Sequence, residues 1–226
     1  MYSLSVSEAI MLVRKNLDEQ MDNYSALMED IDSSELDMVI KKTLPESINE
    51  VHLATPAEIL DGEILSAEDY ENGRFEIDED GVLTFGTTKP FLRLIRFKAN
   101  DSRYVINEVY PEVSPEGRMQ ENQYTRGTAR NPRLILLQGK DQDMLSVFRY
   151  YSLSRFFSSP IDAIENFEYI PMYRYADETE EYRVAENVVE QVINRLTGKV
   201  LAIYGDQKAQ YFLNNGMLGA AQPQPE

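Results

Sequence analysis

Apolar residues recur at helical spacing at both ends of the chain, and this pattern constrains the fold more than any other feature. The N-terminal part carries two such stripes: Val6, Ile10, Val13 and Leu17, then Leu36, Ile40, Leu44, Ile48 and Val51. The C-terminal part carries a third: Val184, Val188, Val192, Leu196, Val200 and Tyr204. Side chains three or four residues apart share one face of a helix. The stripes therefore predict amphipathic helices, of which the second continues with a kink through Pro45.

Polar residues at the ends of these stripes predict where the helices begin and end. Ser5 and Glu8 have the spacing of a capping box, in which each side chain satisfies a backbone N–H at the helix start. The second helix is predicted to start at Ser33 or Ser34 and to end at residues 54–56. Asp177 with Glu180 predicts the start of the third helix, and a short last helix is predicted from Asp206 to Leu213.

The middle of the chain shows the alternation and turn residues typical of β-strands. Residues 74–85 predict a hairpin with its turn at Asp80 and Gly81. Further strands are predicted at residues 91–98, 104–109, 134–137, 144–153 and 167–173. Residues 111–131 are rich in Pro, Gly, Asn and Arg, which predicts a loop with a short helix around residues 116–122.

Together these patterns predict an α+β fold: a helical bundle from N- and C-terminal helices with an inserted β-rich domain. The predicted bundle consists of residues 1–60 and 177–213, and the β-rich insertion of residues 61–176. Two N-terminal helices cannot bury their stripes alone, so we expect them to pack on the C-terminal pair. Residues 214–226 have no periodicity and are predicted to be a flexible C-terminal tail.

The composition removes several kinds of catalytic and metal chemistry. The chain has no Cys, which excludes disulfides, thiolate nucleophiles and the usual structural zinc sites. His52 is the sole histidine, so neither a histidine triad nor an ordinary transition-metal site can be built. Residues 76–81 resemble the start of a calcium loop, but Glu76 and Thr87 occupy its first and twelfth positions, where Asp and a bidentate Glu are required. We predict no enzyme, no cofactor and no metal. A small hydrolase that works through two carboxylates is an alternative to this prediction.

Two further absences bear on location. No apolar run approaches the roughly 20 residues that cross a bilayer. The first 15 residues lack a basic start before their apolar stretch, so we expect no signal peptide and a protein made and used in a cytoplasm.

Charge is unevenly distributed along the chain. The net charge of −17 argues against general affinity for nucleic acid. Between Glu58 and Gly81 there are ten acidic residues and one basic, Arg74, whereas between Lys89 and Arg155 there are twelve basic and seven acidic. We interpret these stretches as two faces that meet across a subunit interface; a solvated acidic loop beside an ordinary sheet is the alternative.

Arginine and tyrosine are interleaved in the predicted loop, and they are the candidate binding residues: Arg118, Tyr124, Arg126, Arg130 and Arg133. These residue types are enriched at protein–protein hot spots. They can also follow a nucleic-acid backbone and stack on bases, so a nucleic-acid-binding accessory protein using residues 118–133 is the alternative. The acidic net charge favours protein binding. In the tail, Met217 and Leu218 are the candidate contacts.

Two stretches resemble known phage proteins. The block FLRLIRFKAN…VINEVYPEVSPEGRMQENQYTRGTARNPRLILL resembles segments of virion proteins from tailed phages of gut Bacteroidetes, including the crAss-like group. The stretch NVVEQVINRLTGKVLAIYGDQKAQYF resembles the C-terminal helices of phage head–tail adaptor and connector proteins, in which a long apolar helix precedes a short helix, here the one with Asp206 and Ala209. Together the stretches cover about a third of the chain.

The resemblance implies a structural virion protein without enzymatic activity, assembled in the host bacterial cytoplasm. Such adaptors form a ring, often of twelve copies, beneath the portal protein, and join it to the tail and collar proteins. DNA would pass through the channel without specific binding. We further expect the tail after Asn215 to become ordered against the portal when it binds. The β region is longer than in the simplest adaptors, which leaves another ring or collar layer open.

Overall fold

The computed structural model describes residues 2–19, 33–60, 62–64, 76–80, 82–87, 89–100, 103–122, 124–128, 130–137, 146–152, 163–174, 181–204 and 213–214. In chain order their elements are β1 (Tyr2–Ser5), α1 (Val6–Glu19), α2 (Ser33–Ala54), β2 (Glu63–Ile64), β3 (Glu76–Ile77), β4 (Leu83–Gly86), β5 (Phe91–Ala99), β6 (Tyr110–Pro111), α3 (Pro115–Arg118), β7 (Arg133–Leu137), β8 (Val147–Tyr151), β9 (Ile164–Pro171), β10 (Glu181–Val184) and α4 (Val189–Ile203). Turns of 3₁₀ helix lie at Ala57–Ile59, Met119–Glu121 and Glu186–Val188. The chain forms two compact units: residues 1–61 with 173–226, called the first unit, and residues 62–172, called the second.

The first unit contains the three long helices. In α4 the stripe residues Val192, Leu196 and Val200 are buried, whereas the stripe of α1 is buried at Val13 and Leu17 and only partly buried at Val6 and Ile10. The start of α1 confirms the predicted cap, because the Glu8 N–H donates to Ser5 Oγ at 3.1 Å. The Glu8 carboxylate, however, accepts from the Tyr2 hydroxyl. Helix α2 continues through Pro45 as predicted, and the five residues of its stripe are at most 2% exposed.

The predicted fold class is wrong. The described residues do not form a bundle of N- and C-terminal helices around an inserted β-rich domain; they form a mixed α/β fold with four α-helices and ten strands in three sheets. One of these sheets belongs to the first unit, where β1 pairs antiparallel with β10 and Leu4 lies opposite Tyr182. The terminal helices therefore share their unit with a sheet.

The start of the C-terminal helix was predicted too early, because the first residues of its stripe fit both a helical and a strand period. Val184 is four residues from Val188, which suits a helix, but Tyr182 and Val184 are buried while Glu181 and Arg183 are exposed, as in a strand. Helix α4 begins only at Val189. The predicted start at Asp177 and Glu180 lies outside the described residues, as do residues 206–212 of the predicted last helix and nearly all of the tail.

The second unit contains two sheets around an aromatic core. Their strand orders are β2-β9-β5 and β3-β4-β8-β7-β6. The core rings are at most 1% exposed and include Phe85, Phe97, Phe148, Phe167, Tyr150 and Tyr169. Phe85 contacts both Phe148 and Phe167, with ring centroids 5.3 Å apart in each pair. Burying each such ring contributes about 1.5–3 kcal/mol, so the core fixes the frame on which the loops of this unit are held.

Most predicted strands of this unit are confirmed, including the hairpin of β3 and β4. The strand predicted at residues 104–109 is wrong: within it Ile106 alone pairs, in an isolated bridge with Phe97, and the next strand is the two-residue β6. The short helix predicted near residues 116–122 is confirmed by α3 and the 3₁₀ turn that follows it.

Candidate protein-binding surface

Residues 111–128 form a segment that is built around two close backbone approaches. Ser114 Oγ accepts from the Gly117 N–H at 3.0 Å and caps α3. A Cβ on Gly117 would lie 2.5 Å from the carbonyl oxygens of Pro111 and Glu112. A side chain at this position would therefore displace the turn that starts the segment.

Gln120 and Gly127 hold the far end of the segment. The Gln120 side chain is 4% exposed; its Nε2 donates to the Glu116 carbonyl at 2.9 Å, and its Oε1 accepts from the Gly127 N–H at 2.7 Å. A Cβ on Gly127 would lie 2.6 Å from the Tyr151 carbonyl oxygen, so only glycine brings the chain this close to β8.

Arg126 ties the segment to the β3–β4 hairpin. Its Nε donates to the Gln120 carbonyl at 3.0 Å, and its Nη1 lies 3.1 Å from Asp80 Oδ2 at the hairpin turn. The guanidinium carbon also lies 5.8 Å from the centroid of the Tyr151 ring. With a side chain only 17% exposed, Arg126 is part of the support of the segment and is not its outer surface.

The supported segment presents large apolar side chains to solvent. Tyr124 is 96% exposed, and Met119 and Val113 are 53% and 52% exposed. A buried amide, an ion pair and two glycine approaches thus support the backbone of the segment that carries the exposed Tyr124. We call Val113, Met119 and Tyr124 the exposed set of the segment.

Arg133 and Tyr110 form a second arrangement at the edge of the five-stranded sheet. Arg133 Nη1 donates to the Tyr110 hydroxyl at 2.9 Å, and its guanidinium lies 5.2 Å from the centroid of that ring. The Tyr110 hydroxyl donates to Glu108 Oε2 at 2.5 Å, and this hydrogen bond is the main reason why the pKa of Tyr110 is raised above its ordinary value. The arrangement borders an open groove of about 330 Å³ that Arg130 also lines.

The five predicted arginine and tyrosine positions thus divide into two groups. Arg126 and Arg133 are held by partners in the same chain, whereas Arg118, Tyr124 and Arg130 are exposed. Met217 and Leu218 lie outside the described residues. Gln120, Asp80 and Tyr110 were not predicted. A local pattern does not show that Asp80 meets Arg126 46 positions later, or that Tyr110 meets Arg133 23 positions later. The partners of Gln120 are only four and seven positions away, but a single Gln in a polar loop gives no sequence signal of such contacts.

Part of the predicted charge complementarity is used within the subunit. Lys89 Nζ lies 2.6 Å from Glu63 Oε1, and Arg126 bonds Asp80, so both contacts join the basic stretch to the acidic one in a single chain. Such partly exposed pairs are each worth about 0–1 kcal/mol. The Arg126–Asp80 pair joins the segment to the hairpin, and among the described residues Arg118 and Arg130 form no ion pair.

The first unit carries a cluster of charges between α2 and α4. Arg195 Nε and Lys199 Nζ lie 2.6 and 2.7 Å from the carboxylate oxygens of Glu50. Burial alone would raise the pKa of Glu50, but the hydrogen bonds from Lys199 and Arg195 outweigh it and lower that pKa. The cluster joins two helices and has the character of a structural ion pair.

His52 is 4% exposed in the last turns of α2, and burial lowers its pKa from 6.5 to about 4. It is therefore neutral at pH 7. Among the described residues, no group of three or more acidic or histidine side chains could hold a metal ion. None of the helices in the described ranges is both long and apolar enough to cross a membrane.

No protein-family model matches the chain, and no curated protein matches it.

Proposed function

We propose that the protein is a structural subunit that works by binding other protein subunits, as a ring-forming component of the connector between the head and tail of a tailed phage. In this proposal copies of the chain form a ring, twelve being the expected number, between the portal protein and the tail or collar proteins. DNA passes through the ring without specific contacts.

The observation that carries the proposal is the exposure of Tyr124 on a rigidly supported segment. A flexible loop would have to be ordered on binding, at about 0.5–1.5 kcal/mol for each immobilised side chain. Here Gln120, Arg126 and Gly127 fix the backbone before any partner arrives. Aromatic side chains carried on such a preorganised backbone are enriched at protein–protein hot spots.

The same contacts argue against nucleic-acid binding by residues 118–133. Arg126 and Arg133, two of the four arginines that this alternative requires, are directed to Asp80 and to Tyr110. To bind phosphates, these arginines would have to give up their contacts within the chain. The net charge of −17 also opposes the approach of a polyanion.

Sedimentation analysis of the purified chain tests the proposal, with Tyr124→Ser as the main variant. Removing a hot-spot tyrosine costs about 2–4 kcal/mol, so self-association should weaken at least about 30-fold. Because the side chain is 96% exposed, the fold should not change.

A matched pair of methionines supplies the control. Met119→Ser removes a 53% exposed side chain from the segment, and Met38→Ser removes a 58% exposed one from α2 in the first unit. We expect the first substitution to weaken association and the second to leave it unchanged. Equal effects of the two, or a wild-type chain that stays monomeric and is missing from purified virions, would contradict the proposal.

A further inference from the structure

The three-stranded sheet of the second unit has an open edge beside Ile106. Ile106 and Phe97 exchange both backbone hydrogen bonds, each 2.8 Å long. In an antiparallel pair, the residues on either side of such a position direct their N–H and C=O groups away from the partner strand. Those residues are Val105 and Asn107, which are exposed and form no backbone hydrogen bond within the described part of the chain. A strand edge of this kind can accept one further strand.

The open edge is one wall of the groove of about 330 Å³, and residues 130–133 form the other wall. This second wall has few free backbone donors. Asn131 and Thr128 exchange backbone hydrogen bonds of 2.9 and 3.1 Å, and Pro132 has no backbone N–H. An extended chain in the groove would therefore bond the open edge through its backbone and meet the side chains of the second wall.

The side chains of the groove favour a negatively charged occupant. Arg130 and Arg133 both line it, and Arg130 is exposed and has no ion-pair partner among the described residues. Among the lining residues that the structure describes, the single carboxylate is that of Glu108, which already accepts from the Tyr110 hydroxyl. On a chain of net charge −17, the groove thus presents two arginines against one glutamate.

The shape of the groove favours a lone extended segment over a strand that already belongs to a sheet. In the described part of the chain, every strand is paired with a neighbour. If such a strand from a second copy bonded the open edge, its own neighbour would meet residues 130–133. The same edge of a second copy would also bring arginines against arginines, and like charges at an interface oppose binding. Both arguments exclude the described strands of this chain as the occupant.

We propose that the groove binds an acidic segment of a different protein, in extended conformation along residues 104–108, with its carboxylates at Arg130 and Arg133. At about 3.3 Å for each residue, a segment of about five residues fills this edge. Backbone bonds to Val105 and Asn107 supply affinity, and the two arginines select acidic side chains. The inference rests on the proposed function in one respect, that the protein works by binding other proteins, and it adds a contact outside the ring.

Fluorescence anisotropy with the full chain tests the groove. The probe is a short fluorescein-labelled peptide of alternating glutamate and threonine, and its control is a lysine–threonine peptide of the same length. The acidic peptide should bind at least about tenfold more tightly than the basic one. Methylation of its backbone nitrogens keeps the charge but removes the N–H donors, and should weaken binding at least about tenfold. Equal affinity of the acidic and basic peptides, or of the methylated and unmethylated ones, would refute the inference.

Charge reversal on the protein supplies the second arm. Arg130→Glu should weaken binding of the acidic peptide at least about tenfold. Arg103→Glu is an equal change at an exposed arginine that does not line the groove, and should leave the affinity nearly unchanged. Equal losses in the two variants would mean a general attraction of charge and no site. An oligothymidine strand should not displace the peptide; displacement would give the groove to nucleic acid and overturn the proposal.

The mass of the chain with and without saturating acidic peptide separates this inference from the ring on which the proposed function depends. The mass should be the same in both cases. An oligomer that the peptide dissociates would assign the groove to a second copy and contradict the choice of a different protein. An oligomer that binds no acidic peptide would sink the groove contact and leave the proposed function standing. A chain that stays monomeric but binds the peptide would do the reverse.

Discussion

The buried imidazole of His52 predicts how the stability of the protein depends on acid. The pKa of His52 is about 4 in the folded chain and 6.5 when the residue is exposed. The unfolded chain therefore takes up this proton first as the pH falls. The contribution of His52 to stability is complete above pH 6.5, declines between pH 6.5 and 4, and levels off below pH 4.

The size of the effect follows from the two pKa values. One pKa unit is worth about 1.4 kcal/mol, so the interval from 6.5 to about 4 corresponds to a loss of about 3 kcal/mol. Because the side chain is only 4% exposed, solvent screens this effect little. This loss is a large fraction of the 5–15 kcal/mol typical of a folded domain.

Urea unfolding of the wild type and of His52→Gln at pH 7.5 and pH 4 measures the loss, with protein concentration held constant. The wild type should lose about 3 kcal/mol more than the variant between the two pH values. The subtraction removes the contribution of the carboxylates, including Glu50, whose lowered pKa also costs stability in acid.

Because His52 is the sole histidine, its ring protons can be followed directly by NMR. They should titrate near pH 4 in the folded protein. A midpoint near 6.5, or the same loss of stability in the wild type and in His52→Gln, would refute the reasoning.

Three further substitutions test the support of the segment and the helix contacts. Gly127→Ala would place a Cβ 2.6 Å from the Tyr151 carbonyl and should destabilise the protein by about 1–3 kcal/mol in urea unfolding, whereas Gly86→Ala, with its nearest atom at 3.7 Å, should be tolerated. Gln120→Ala leaves a buried backbone N–H without its acceptor and should cost about 1–3 kcal/mol; an unchanged hydrogen-exchange rate at the Gly127 amide would count against that role. Glu50→Gln should lower stability by about 1 kcal/mol at low salt and by less at 1 M NaCl, as measured by thermal unfolding.

The elements that could be predicted from the sequence are those whose period is long and unambiguous. The stripe of α2 repeats five times over 16 residues, and this outweighs the disruptive effect of Pro45. The hairpin of β3 and β4 was predictable for a local reason as well, since its turn residues lie between two apolar runs.

The missed elements depend on partners far away in the sequence. Strand β10 is four residues long and exists because Val184 pairs with Tyr2, near the other end of the chain. In the candidate site, Arg126 was predicted to be a contact with a partner, but Asp80, 46 residues earlier, holds it in place. For the candidate site, the division between supporting and exposed side chains required the tertiary structure.

Native mass spectrometry of the untagged wild-type chain, over a range of concentrations, tests most directly whether the protein works by binding copies of itself. We predict one closed species, which for twelve copies of 26.0 kDa has a mass of about 312 kDa, in equilibrium with the single chain. A mass of 26.0 kDa at every concentration, both alone and in extracts of assembling particles, would contradict the account.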